Sequence, residues 1–133
     1  MYILDTNVIS AVRRPDRAPK VAAWLRGKAE QDLFLSVVTL GEIERGIRQQ
    51  EARDPGFAQD LRSWLDQTIM LFSDRLLSFQ AEDARIWGRL SAEIGHTGAD
   101  LMIAASALRH GAIVVTGNVS DFAPTGAAVE DPF

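Results

Sequence analysis

Apolar and polar residues follow one another along this chain in blocks that predict short strands, each followed by helix. The first block, Met1-Tyr2-Ile3-Leu4, is apolar and stops abruptly at Asp5-Thr6-Asn7, which are turn and helix-cap residues. It reads as a buried strand ending on a carboxylate at a strand-to-helix turn. A short helix then runs to about Arg13 and is broken by Arg14-Pro15-Asp16-Arg17. Val21, Ala22, Leu25 and Ala29 hold helical spacing from about Ala18 to Ala29, with Pro19 in the first turn. Leu33-Phe34-Leu35-Ser36 is a second strand. Thr39, with Glu42 three residues on, fits a capping box for a helix reaching about Arg53. Asp54-Pro55-Gly56 interrupts the pattern. Phe57, Leu61, Trp64, Leu65 and Ile69 mark an amphipathic helix to Leu71.

Leu76–Phe79 is a third strand, and Ala84, Trp87, Leu90 and Ile94 give a helix over 81–94. After the loop Gly95-His96-Thr97-Gly98 comes a strongly apolar helix from Ala99 to His110, stopped by Gly111. Ala112–Thr116 is β-branched and bounded by glycine, the strongest strand of the chain. Gly117–Phe122 reads as a loop, and Val129 belongs to a short final strand. Strands alternating with helices imply an α/β fold, a short central parallel sheet of four to five strands covered by helices on both faces. With no repeat, linker or low-complexity segment, residues 1–133 are expected to form one domain.

Composition narrows the chemistry. There is no cysteine, which excludes disulfides, thiolate metal sites and a cysteine nucleophile. The net charge of −4 excludes nucleic-acid binding by bulk attraction, so a polyanionic substrate needs a local counter-charge. The first residues carry neither the basic segment nor the long apolar core of a signal peptide, and no apolar run approaches a membrane span, so a cytoplasmic location is expected.

Position separates the eighteen acidic residues. Glu30, Glu51, Asp54, Asp60, Asp66, Glu82, Asp83 and Glu93 sit in polar surroundings and read as solvated faces. Asp5 ends the first strand. Glu42 lies in the first turn of the helix after the second strand, and Asp121 in the loop after the 112–116 strand. Strand ends and the starts of the helices after them share one edge of such a sheet, which joins Glu42 and Asp121 to Asp5. Asp100 opens the helix before a strand, and the same rule places it at the far edge. Clustered carboxylates persist where a cation neutralises them, and all-oxygen ligands favour Mg²⁺ or Mn²⁺. Thr116 and Asn118 are candidate supports for a water or carboxylate.

These residues resemble the PIN-domain family, and within it the VapC-type toxins of bacterial toxin–antitoxin pairs, including their FitB-like branch. The likeness rests on four ordered blocks: Tyr2–Asn7; Leu35–Ile43 with Gly46; Asp100 with Ile103-Ala104-Ala105 and Ala107; and Val115–Asn118 with Asp121-Phe122. The resemblance implies a ribonuclease that hydrolyses RNA phosphodiester bonds with a metal-activated water. Asp5, Glu42, Asp100 and Asp121 would hold Mg²⁺, with Mn²⁺ as a substitute, and Asn7 and Thr116 would support them. It implies a connection that brings Asp100 to the other three. It also implies a homodimer and a VapB-type antitoxin laid over the groove, with DNA met only through that antitoxin. Two features depart from the family pattern: Gly117 stands where an arginine is common, and the approach to Asp100 is short and polar.

Arg13, Arg14, Arg45 and Arg48 are candidate RNA contacts, and the faces around Trp24 or Trp64 and Leu65 are candidate dimer surfaces. The alternative is a catalytically weak PIN-like module that binds RNA or a protein partner. An aspartyl-phosphate phosphatase requires an acid at position 7 and a late lysine, and the chain has Asn7 and no lysine after Lys28. No glycine-rich phosphate loop is present.

Overall fold

The first apolar block becomes the middle of a sheet. In the structure, a computed structural model describing residues 1–133, β1 (Tyr2–Leu4) pairs in parallel with β2 (Leu33–Ser36) on one side and β4 (Ile113–Val115) on the other. β3 (Leu76–Leu77) and β5 (Ala128–Glu130) complete a five-stranded parallel sheet in the order β3-β2-β1-β4-β5. Successive side chains of a strand face opposite ways. Ile3 and Val114 therefore join the core on one face, while Leu4 and Val115 join the other. That is why these strands are apolar throughout rather than alternating.

The helices α1 (Thr6–Val12), α2 (Pro19–Arg26), α3 (Val37–Glu51) and α4 (Pro55–Leu71) supply the Leu4-face core, with Val8, Val21, Ile47 and Leu65 among the buried residues. The opposite core is built by α5 (Ala81–Ile94), α6 (Ala99–His110) and the single turn α7 (Val119–Phe122), through Leu90, Ile103 and Phe122. No helix is long and apolar enough to cross a membrane.

Four readings change. α3 begins three residues earlier than its sequence signal suggests, because the Ser36 hydroxyl accepts from the Val38 amide and caps it. Thr39 lies inside the helix, fully buried, and Glu42 falls in the second turn. The segment after β4 contains α7 instead of being wholly loop, and the third strand ends at Leu77. Arg75, by contrast, is a buried cation of structural use. Its guanidinium donates to the carbonyls of Glu30, Leu33 and Leu71, satisfying backbone at the start of β2 and the end of α4.

The fourth change concerns Asp83, which is fully buried rather than solvated. Its Oδ1 accepts from Arg109 Nε at 2.5 Å and its Oδ2 from Arg109 Nη2 at 3.0 Å, tying the start of α5 to the end of α6. Oδ2 also accepts from the Gln80 amide at 2.7 Å. Burial alone would raise this carboxyl's pKa, but the Arg109 and Gln80 bonds outweigh it and hold it below its ordinary value. A depressed folded-state pKa contributes stability above the unfolded pKa of about 4, and that contribution is lost as pH falls through the folded value. Asp83→Ala is therefore expected to lower stability by about 2 kcal/mol at pH 7. In urea titrations its deficit against wild type should shrink below about pH 4.

Candidate functional site

A cavity of about 370 Å³ opens beyond the carboxyl ends of β1 and β4, lined by Asp5, Thr6, Asn7, Glu42, Ala99, Asp100, Asn118, Asp121 and Phe122. All four singled-out carboxylates face it, and no arginine or lysine does. Asp100 is at this edge, not the far one. Only Gly111 and Ala112 separate α6 from β4. A helix entering a parallel strand through so short a turn runs antiparallel to it, so its first residue lies where the strands end. Sheet topology itself brings Asp100 round, without an unusual connection.

Asp5 both caps α1 and lines the cavity. Its Oδ1 accepts from the Thr6 amide at 2.9 Å. Its Oδ2 accepts from the Thr116 hydroxyl at 2.8 Å and from Asn7 Nδ2 at 3.3 Å. Thr116, fully buried, spends its single proton on Asp5 while its oxygen accepts from Asn7 Nδ2 at 3.2 Å and the Asn118 amide at 2.9 Å. Asn7 Oδ1 accepts from the Gly117 amide at 3.1 Å. A hydroxyl has one donor and two acceptor lone pairs, and here all are used. Thr116 is thus a buried brace joining the ends of β1 and β4. Asn118 contributes a backbone amide to that brace, and its residue lines the wall.

Thr6 has a role that its sequence position concealed. Its hydroxyl donates to Glu42 Oε1 at 2.6 Å, joining α1 to α3 at the cavity. Asp100 Oδ1 accepts from the Leu101 amide at 3.1 Å. It also lies against Gly98 so closely that a Cβ there would fall 2.6 Å from it, which accounts for glycine in the polar approach to α6.

Burial pushes the Asp5 pKa above its ordinary value, and the charges of Asp100 and Asp121 add to this, against the opposing bonds from Thr116 and Thr6. Burial likewise raises Glu42, with Asp5 and Asp100 adding to it. Two desolvated carboxyls inside a ring of negative charge carry an uncompensated electrostatic cost that a bound cation would relieve. The oxygen-only donor set suits a hard divalent ion. No three acidic side chains stand close enough to one point to hold an ion in this arrangement.

The PIN domain family model matches residues 2–123. This chain belongs to the PIN-domain family. Among similar proteins, the toxin FitB of Neisseria gonorrhoeae is 32% identical over 139 residues, covering 100% of this chain and 99% of that protein. The crystal structure of FitAcB from the same organism superimposes with a TM-score of 0.85 over 99% of this chain and 98% of that one. The plasmid stability protein StbB of Pseudomonas syringae pv. tomato is 34% identical, covering 100% of this chain and 99% of its own length. Ribonuclease VapC14 of Mycobacterium tuberculosis is 45% identical over 69 residues, 52% of this PIN chain and 67% of that protein.

Of the candidate cations, Arg48 is held by Glu44 and Glu51, and Arg14 is exposed and absent from the cavity wall. Arg13, over the Phe57 ring, lines an adjoining groove that shares Thr6 and Glu42 with the cavity. Arg45 stands beside Glu42. Trp24 packs edge-on to Tyr2 and donates to Glu130, so it braces the sheet. Thr116→Val keeps the side-chain shape and removes the brace. Cleavage of RNA is expected to fall about tenfold, as outer-ring partners of ligands typically cost when lost, with kcat/KM against melting temperature separating site from fold.

Proposed function

We propose that this chain is the toxin of a type II toxin–antitoxin system, a cytoplasmic ribonuclease of a single PIN domain spanning residues 1–133. It would be neutralised by a VapB-type antitoxin with which it forms a hetero-oligomer, and would itself dimerise. The observation that carries the reading is the convergence of Asp5, Glu42, Asp100 and Asp121 on one cavity at the sheet's carboxyl edge. Full-length similarity to FitB, and the FitAB and VapBC complexes among the structural neighbours, support the toxin and antitoxin assignment.

PIN-domain ribonucleases generally depend on a divalent metal. In this chain Mg²⁺, or Mn²⁺ in its place, would be held by the four carboxylates, with Asp121 at the exposed side. The ion supplies positive charge to a phosphoryl group and lowers the pKa of water. The protein supplies the rest. Thr116 and Asn7 fix Asp5, Thr6 fixes Glu42, and Arg13 and Arg45 are placed to meet phosphates outside the acid ring. Structured RNA incubated with purified protein should be cut in Mg²⁺ or Mn²⁺ and remain intact in EDTA. RNA binding that survives EDTA, with no cleavage in either metal, favours the alternative of a non-cutting PIN-like module.

A further inference from the structure

The acid cavity has no basic residue in its wall, so the protein's own side-chain contacts to RNA must come from beside it. One residue there is aromatic and exposed. β5 pairs in parallel with β4, with Val115 opposite Glu130, and the Thr116 amide donates to the Glu130 carbonyl at 3.0 Å. The chain leaving β5 therefore emerges alongside Thr116 and Gly117. Pro132 is buried and the Phe133 amide donates to Asp131 Oδ1 at 2.9 Å, which fixes the last turn. The Phe133 ring then lies on Gly117, so close that a Cβ at Gly117 would meet its Cδ2 at 2.9 Å and its Cε2 at 3.0 Å. Gly117 has no positive φ, so glycine is needed here for this approach and not for its backbone freedom. Yet Phe133 as a residue remains 47% exposed. Asn118, next to Gly117 in sequence, forms part of the cavity wall.

We propose that Phe133 is a stacking platform for an RNA base next to the scissile phosphate, seated on Gly117 at the rim of the acid cavity. This rests on the ribonuclease reading and deepens it by naming how the substrate is gripped. Stacking suits the place: an uncharged ring adds affinity without competing with a cation for the carboxylates, and it accepts every base. The grip is on unpaired nucleotides, because bases within a duplex offer no free face.

The test has two arms. In steady-state cleavage of single-stranded RNA with Mn²⁺, Phe133→Ala should raise KM about tenfold with kcat little changed, Phe133→Trp should restore it, and Phe133→Leu should not. Gly117→Ala, which keeps the aromatic ring but pushes it away, should raise KM similarly, and its effect should not add to that of Phe133→Ala. In the binding arm, the cleavage-deficient Asp5→Asn protein meets a 2-aminopurine-labelled single-stranded RNA. Quenching of the base should require an aromatic residue at position 133. An unchanged KM in Phe133→Ala, full rescue by leucine, or equal quenching by the alanine variant overturns the proposal. If wild type cuts no RNA, the ribonuclease reading falls, while the quenching arm still decides whether Phe133 stacks on a base. A ring that serves only a protein partner would leave both arms unmoved and likewise count against it.

Discussion

Asp5→Asn is expected to reduce metal-dependent RNA cleavage by roughly 10³-fold, the scale of removing a central charge-stabilising group. The argument rests on what Asp5 does at once. It is buried at 7% exposure, ends the central strand, and presents a carboxylate held by Thr6, Thr116 and Asn7. The amide keeps the size and the α1 cap but removes the charge, and its NH₂ points a donor where Oδ2 accepted two. Loss of those bonds is offset by no longer burying a charge beside Asp100 and Asp121, so the metal-free melting temperature should move little. Metal separates the two proteins. A ligand at a hundredfold excess over its Kd stabilises a native state by about 2.7 kcal/mol. Mn²⁺ should raise the wild-type melting temperature and leave that of Asp5→Asn nearly unchanged. A mutant that cuts at wild-type rate, or that gains equal stability from Mn²⁺, would remove Asp5 from the site. In cells lacking the partner protein, expression of wild type should arrest growth and Asp100→Ala should relieve the arrest.

Local signals served well where structure is local. Helix 81–94 and helix 99–110 are bounded by Gln80, Gly95, Gly98 and Gly111, and turn chemistry sets those ends whatever the rest of the chain does. The edge shared by Asp5, Glu42 and Asp121 is legible from the alternation of strands and helices. What escaped was pairing at a distance. Asp83 resembles its polar neighbours until Arg109, twenty-six residues on, arrives to bury it. Thr6 looks like one more cap residue, and its hydroxyl finds Glu42 thirty-six positions away. Thr39 carries a capping signature, but Ser36 competes for the same helix start and wins because the strand delivers it in extended geometry. Asp100 was misplaced for a different reason: direction. A helix that returns to a parallel strand must start at the strands' carboxyl edge, and nothing in the spacing of its residues states which way it runs.

Phe122→Ala is expected to destabilise the protein by about 3–4 kcal/mol, in the range found for removing a buried phenylalanine. Phe122 is the largest fully buried side chain and packs with Ile3, Ile103 and Val114. At about 3 °C lost per kcal/mol for a chain of this size, the melting temperature should drop by roughly 10 °C. Phe122→Leu, which leaves a smaller void, should cost about 1–2 kcal/mol. The consequence reaches the site because α7 is a single turn of four residues with no side-chain cap at Asn118. Such a turn has no helical stability of its own, so the burial of Phe122 is what holds it. Asp121 precedes Phe122 on that turn and has no hydrogen bond from its own side chain to fix it. In the cold, where Phe122→Ala remains folded, its cleavage rate should still lie below that of Phe122→Leu, and its Mn²⁺-induced rise in melting temperature should be smaller. A variant that loses stability in urea yet keeps wild-type cleavage and metal response while folded would show that Asp121 is placed without this anchor, or is not needed there.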